Sequence, residues 1–225
     1  MFMIYALSGL AILVLYLYMP THQQVTATIC TSLGPSRWIV MRLAMLFSVD
    51  AFAGGLVVNA LLTLWLIARF DLSIGTAGEF FFCAGLLSAG SQLAAAPLAR
   101  RIGLLNTMVF THIPSSLCLI AAAFMPFLPL ALSMLLLRSV LSQLDVPTRS
   151  AYVMSVVTPA ERAAAASFTA VPRSLAAAIS PTIAGGLIGL GWLEAPLIAC
   201  GALKIIYDLA LLAAFRHVRL DGDRS

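Results

Sequence analysis

The chain has 225 residues, of which 61% are hydrophobic and only 10% charged, with a mean hydropathy of +1.01. A soluble domain carries about 25% charged residues to keep its surface wetted, so this composition excludes a soluble enzyme and indicates a polytopic α-helical membrane protein. The net charge of +4 does not indicate nucleic acid, because the longest basic run is Arg100-Arg101 and no aromatics are interleaved with it.

Seven apolar stretches follow one another, each long enough for the roughly 20 residues that a bilayer-spanning helix needs. The first, residues 2–19, opens on Met1-Phe2-Met3 without the positive n-region of a signal peptide, and no small-residue cleavage site follows it closely. Pro20-Thr21-His22 ends it, and residues 21–38 read as a cytoplasmic linker. The second stretch, 39–68, carries Asp50 and Gly54-Gly55 and stops at Arg69-Phe70-Asp71. The third, 75–98, has Glu79 near its start, within reach of water, and is followed by Arg100-Arg101-Ile102-Gly103. The fourth, 104–123, contains His112 and Pro114, which read as a kinked helix; Cys118, the nearest second ligand, would not complete a metal site.

The fifth stretch, 126–145, is split from the fourth at Pro126, since one helix of about 40 residues would far exceed the bilayer. It holds Arg138 and Asp145, and Pro147 to Arg162 reads as the loop after it. The sixth, 163–190, is crowded with alanine, serine and glycine, which let helices approach closely in lipid, and contains Pro172-Arg173 and Pro181. Gly191 precedes the seventh, 193–215, with Lys204 and Asp208 four residues apart and so adjacent on one helix face. Residues 216–225 read as a cytoplasmic tail. The expected organisation is therefore a leading helix over 1–20, the linker 21–38, a six-helix bundle over 39–215 and the tail.

Lysine and arginine set orientation, since cytoplasmic loops are enriched in them. With the start of the second stretch inside, Arg37, Arg42, Arg100, Arg101, Arg149, Arg162, Arg216, Arg219 and Arg224 lie on or near the cytoplasmic side, leaving Arg69 opposite. The N-terminus is then outside, the C-terminus cytoplasmic and the location a cell membrane. Trp38, Trp65 and Trp192 fall near the expected interfaces. The cysteines, Cys30, Cys83, Cys118 and Cys200, are spaced singly and fit neither a zinc site nor a disulfide framework. Those inside apolar runs behave as small hydrophobes. No nucleotide-binding run is present, so no cofactor is expected and any transport draws on a gradient.

From about residue 39 onward the chain resembles the C-terminal half of a major facilitator superfamily transporter. Ala96-Pro97-Leu98-Ala99-Arg100-Arg101-Ile102-Gly103 resembles the second-half copy of the family's short cytoplasmic loop signature, with Arg100 where that pattern has aspartate. Arg138 through Leu144-Asp145-Val146-Pro147-Thr148-Arg149 resembles the end of the family's helix ten and the following loop. Arg173-Ser174-Leu175 with Ile179-Ser180-Pro181 and Gly185-Gly186 resembles helix eleven. The resemblance implies one of two pseudo-symmetric halves, with a substrate path between halves. It implies secondary transport of a small solute, with proton coupling one option, by a fragment or half-transporter whose partner is a missing N-terminal half or a second copy.

An ionisable group at bilayer depth normally faces water or a partner, which makes Asp50 the first candidate for the transport cavity. Arg138 is the second, since the resemblance makes its helix the symmetry mate of the helix of Asp50; its alternative is to snorkel toward Asp145, two turns away on the same face. Lys204 and Asp208 read as a structural pair on a peripheral helix. Arg100, Arg101, Gly103, Asp145, Arg149 and Arg173 read as structural or gating residues; the resemblance implies that Arg173 is left for a partner beyond this chain, with a snorkelling or backbone-capping arginine as the equal alternative. The rival readings are a non-transporting orphan or membrane interaction protein, an intramembrane enzyme and a seven-helix receptor. An enzyme would need paired catalytic groups, and a retinal protein would need aromatics around Lys204 and an aspartate before it; the chain supplies neither.

Overall fold

In the computed structural model, residues 2–18, 34 and 36–215 are described. The linker apart from Gly34 and Ser36–Trp38, together with Cys30, His22, Arg216, Arg219, Arg224 and the tail, lies outside the described residues. The chain divides into a unit ending at Cys30 and a unit beginning at Thr31. The first unit contains helix α1 (Phe2–Tyr18), apolar and 17 residues long.

The second unit is built from α2 (Arg37–Gly55), α3 (Asn59–Phe70), α4 (Ile74–Ile102), α5 (Leu104–Phe124), α6 (Leu128–Ser142), α7 (Asp145–Val156), a 3₁₀ turn (Pro159–Glu161), α8 (Arg162–Gly189) and α9 (Ala195–Phe215). Taken through their breaks, these make six rods long and apolar enough to cross a membrane: Arg37–Phe70, Ile74–Ile102, Leu104–Phe124, Leu128–Val156, Pro159–Gly189 and Ala195–Phe215. The result is an all-α bundle of the kind expected for a multi-pass membrane protein. Large apolar side chains such as Phe82, Leu93, Leu117 and Ile206 point outward, where lipid would solvate them.

Two of the apolar stretches differ from a simple reading. The second is interrupted at Leu56–Val58, directly after Gly54-Gly55, so α3 restarts from an extended Val58. The fifth does not end at Asp145. It breaks at Gln143-Leu144 and continues as α7 to Val156. Pro147 reads as a helix stop in the sequence, but it falls in the first turn of α7, where a missing N–H costs nothing because first-turn N–H groups have no intrahelical acceptor. Arg149 is thereby carried into the bundle instead of a loop, and is 7% exposed. Trp65 also departs from its expected interface position: it is fully buried, edge-on to Phe70 at 5.6 Å, while Trp38 and Trp192 are exposed.

Within the bundle α2 packs along α8, and α5 runs between α6 and α9. Close approach requires glycine at two places. A Cβ on Gly55 would collide with Ser180 Oγ and come within 2.8 Å of the Ala177 carbonyl oxygen on α8. On Gly201 of α9 it would lie 2.5 Å from Ile120 Cγ1 and 2.9 Å from the Ser116 carbonyl oxygen on α5. Gly185 and Gly186, which read as packing glycines, would have nothing within 4 Å of an added Cβ. Gly55→Val and Gly201→Val are therefore expected to lower the unfolding free energy by about 1–3 kcal/mol each, whereas Gly185→Ala should stay within about 0.5 kcal/mol of the parent. Denaturation of the chain in mixed micelles by increasing SDS would check all three.

The ends of the rods are tied by a few polar contacts. Arg69, in the last turn of α3, pairs with Glu194, before α9, at 3.4 Å. At the other end Glu161 accepts from the Gly34 N–H at 2.5 Å and from Thr158 Oγ1 at 2.8 Å. Arg162 Nε donates to the Met154 carbonyl in the last turn of α7 at 3.2 Å, satisfying a carbonyl that the helix itself leaves free. Gly103 separates α4 from α5 with φ 89° and ψ 157°, a region that side-chain-bearing residues enter only with strain.

Candidate functional site

Two apolar clusters divide the bundle. One gathers Ala53, Leu56, Trp65, Leu119, Leu135 and Cys200, the other Val40, Phe47, Met108, Tyr152, Tyr207 and Leu211. Between them lie the ionisable residues Asp50 on α2, His112 on α5 and Lys204 on α9, with Asp208 one turn further along α9. Lys204 is nine residues into the 21-residue α9, about 14 Å along its axis. The charges thus form one layer near the middle of the rods, where water is scarce and each must find a partner in the protein.

Asp50 is the hub of that layer. Its Oδ1 accepts from Lys204 Nζ at 2.9 Å, its Oδ2 lies 2.8 Å from Arg149 Nη2, and His112 Nε2 is 3.7 Å from Oδ1. Arg149 also grips Asp145, one turn earlier on α7, and its guanidinium carbon lies 5.3 Å from the centre of the Phe47 ring, a favourable cation–aromatic placement. Lys204 Nζ donates to His112 Nε2 at 3.1 Å. Since an ammonium cannot accept, Nε2 is the acceptor and Nδ1 carries the ring proton. Nδ1 then donates to Asp208, whose two oxygens both lie 3.0 Å away. The chain of contacts runs from Asp208 through His112, Lys204, Asp50 and Arg149 to Asp145, linking four rods.

Side-chain exposures of 5% for Asp50, 9% for Arg149 and 14% for Lys204 place these pairs where removal of one partner leaves a desolvated charge. Not every polar atom is satisfied by the protein: Asp145 Oδ1, Arg149 Nε and the hydroxyls of Tyr152 and Tyr207 have no hydrogen-bond partner among the described residues. The layer borders a cavity of ≈ 620 Å³ lined by Asp50, His112, Arg138, Arg149, Arg173 and Lys204, among others. That volume lies within the roughly 300–1,000 Å³ of small-molecule sites. Among the described residues no group of three histidine, cysteine or acidic side chains is placed to hold a metal ion. The carboxylates are committed to Lys204, Arg149 and His112.

The residues singled out from the sequence are distributed as follows. Asp50 and Arg138 both line the cavity. Arg138 does not reach Asp145, because α6 ends at Ser142 and the two residues do not share one continuous helix face; Asp145 is held by Arg149 instead. The expected Lys204–Asp208 pair within α9 does not form. Lys204 turns to Asp50 and Asp208 to His112, because across-helix partners satisfy both groups while leaving neither carboxylate unpaired. Arg173 is exposed and borders the cavity from α8. Arg100, Arg101 and Gly103 lie at the α4–α5 turn, away from the charged layer. His112 is the ionisable cavity residue that sequence reasoning does not select as a site residue at all, although a histidine eight residues into an apolar span, near the depth of Asp50, is the signal that could have found it. Comparison with protein-family models, curated proteins and solved structures finds no match for the chain.

Proposed function

We propose that the chain is a secondary transporter of the major facilitator type, or one half of such a carrier, moving a small solute by alternating access past the Asp50 layer. The observation that carries this reading is the cavity of ≈ 620 Å³ against that layer. A purely structural ion-pair network would be expected to be enclosed on every side by packed side chains, which shield mid-membrane charges. In broken-helix carriers the substrate site lies near mid-depth beside discontinuous helices, and both Asp50 and Arg149 lie within two turns of such breaks. In this reading the end bearing Arg37, Arg100, Arg101 and Arg162 faces the cytoplasm and the Arg69–Glu194 end faces outward. A second helical bundle, from a second copy or a separate half, closes the cavity along α8.

The test is solute-driven flux in proteoliposomes containing the full chain, loaded with a pH-sensitive dye and challenged with separate pools of sugars, amino acids and organic acids. At least one pool should drive flux, and Asp50→Asn should reduce it at least tenfold while the variant remains monodisperse. Cross-linking before solubilisation should trap a dimer if a second copy supplies the other half. A folded chain that gives no flux with any pool, cross-linked or not, overturns the reading of the chain as a carrier by itself or as a dimer.

A further inference from the structure

The charges around the cavity do not balance one another. Its lining contains four cations, Arg138, Arg149, Arg173 and Lys204, but only two carboxylates, Asp50 and Asp145. The remaining carboxyl group of the layer, Asp208, is fully buried against His112 and does not border the cavity. Arg149 and Lys204 are committed to Asp50 and Asp145. Arg138 and Arg173 form no ion pair within 4.0 Å among the described residues. Two guanidiniums thus face a cavity whose carboxylates are already taken.

The neutral groups beside Arg138 have the same bias. Arg138, Ser142 and Gln143 line the main cavity and also a second one of ≈ 300 Å³ bounded by α3, α4 and α6, so these three side chains form the septum between them. Gln143 Oε1 is 3.4 Å from Gln92 Nε2, which leaves the Gln143 amide N–H groups as donors. The backbone beneath Arg138 is fixed, its carbonyl accepting from Ser115 Oγ at 3.3 Å. Guanidiniums donate and never accept, and their planar fork matches the oxygens of a carboxylate or phosphate. A cationic solute would meet two positive charges that have no ion-pair partner among the described residues, while both lining carboxylates already carry an ion pair and only Asp145 Oδ1 lacks a hydrogen-bond partner.

We infer that the solute is a small anion whose carboxylate or phosphate oxygens are held by Arg138 and Arg173, with Ser142 and Gln143 as neutral donors; this rests on reading the cavity as the transport site. Asp50 and Asp145 keep their own cations and stay out of the ligand shell. Binding supplies the negative charge that the lining lacks.

The full chain in nanodiscs is titrated calorimetrically with sodium phosphate, sodium succinate and sodium citrate, with choline chloride and glucose as controls, at ionic strength fixed by sodium chloride. At least one oxyanion should bind saturably, phosphate alone indicating a phosphate solute and succinate or citrate a carboxylate. Arg138→Gln and Arg173→Gln should each weaken binding tenfold or more. Arg138→Lys, which keeps the charge, should retain more affinity than Arg138→Gln, and Arg69→Gln, remote from the cavity, should change nothing. If Arg138→Gln fails to fold, Arg173→Gln and Arg138→Lys decide. Saturable choline binding, no binding of any of the three oxyanions, or anion binding indifferent to both arginines overturns the inference. Anion binding without flux in proteoliposomes keeps the anion site and removes the carrier reading; flux of a cationic or neutral solute does the reverse.

Discussion

Replacing Asp50 with alanine is expected to lower the unfolding free energy of the chain by about 3–5 kcal/mol, the range for breaking a buried ion pair from one side. The carboxylate accepts from Lys204 at 2.9 Å and faces Arg149 at 2.8 Å, so its loss leaves two cations on neighbouring rods with one fewer counter-charge. Arg149 retains Asp145. Lys204 retains only the imidazole of His112, and it is the residue left most exposed to the loss. A second substitution, Lys204→Met, removes that stranded ammonium while keeping much of the side-chain volume, and should restore more than about 1 kcal/mol in the Asp50→Ala background. Asp50→Asn should cost less than Asp50→Ala, because its amide oxygen still accepts from one of the two cations. Unfolding of each variant by SDS in mixed micelles gives the cycle. Equal stability of Asp50→Ala and the parent would mean that water, not protein, solvates Lys204 and Arg149, and the buried-layer description would fail.

The positions of the rods were legible because a bilayer imposes a length: about 20 apolar residues between turn or charge signals leave few alternatives. The split at Pro126 is an example, since the connection between α5 and α6 falls at Met125–Phe127. The breaks inside rods were not legible. Pro147 interrupts a hydrophobic pattern identically whether it stops a helix or starts the next one, and only the partner available to Arg149 distinguishes the two. Charge placement was half legible. A carboxylate such as Asp50 inside a span announces that a partner exists, because isolation there is too costly, but does not say which one. Spacing along α9 suggested that Lys204 and Asp208 satisfy each other. The bundle instead offers each a partner across a helix interface, and His112, between them, engages both. Trp65 was misplaced for a related reason: an aromatic near a span end is usually interfacial, yet the break at Leu56–Val58 turns α3 so that this ring enters the core.

His112 carries the second large effect. Asp208 is fully buried, and among the described residues its only cationic or N–H partner is His112 Nδ1, 3.0 Å from each oxygen. His112→Leu keeps an apolar group of similar bulk in α5 but removes that donor, and is expected to cost about 1–3 kcal/mol, the range for stranding a buried acceptor. Asparagine places an amide nitrogen near the position of Nδ1, so His112→Asn should recover part of the loss by donating to Asp208. It cannot also reproduce the acceptor at Nε2, so Lys204 would then depend on Asp50 alone. The double variant His112→Leu with Asp208→Leu removes the buried carboxyl group together with its donor and should be more stable than His112→Leu alone, since replacing both partners of a buried hydrogen bond by apolar groups can be nearly neutral or stabilising. Anion binding separates stability from recognition. Asp208 lies outside the cavity lining whereas His112 borders it, so Asp208→Asn alone, which keeps an acceptor for His112 Nδ1, should bind as the parent does if Arg138 and Arg173 hold the ligand. Parent-like stability of His112→Leu would show that Asp208 is satisfied by another group, and the relay from α9 through α5 to Asp50 would have to be abandoned.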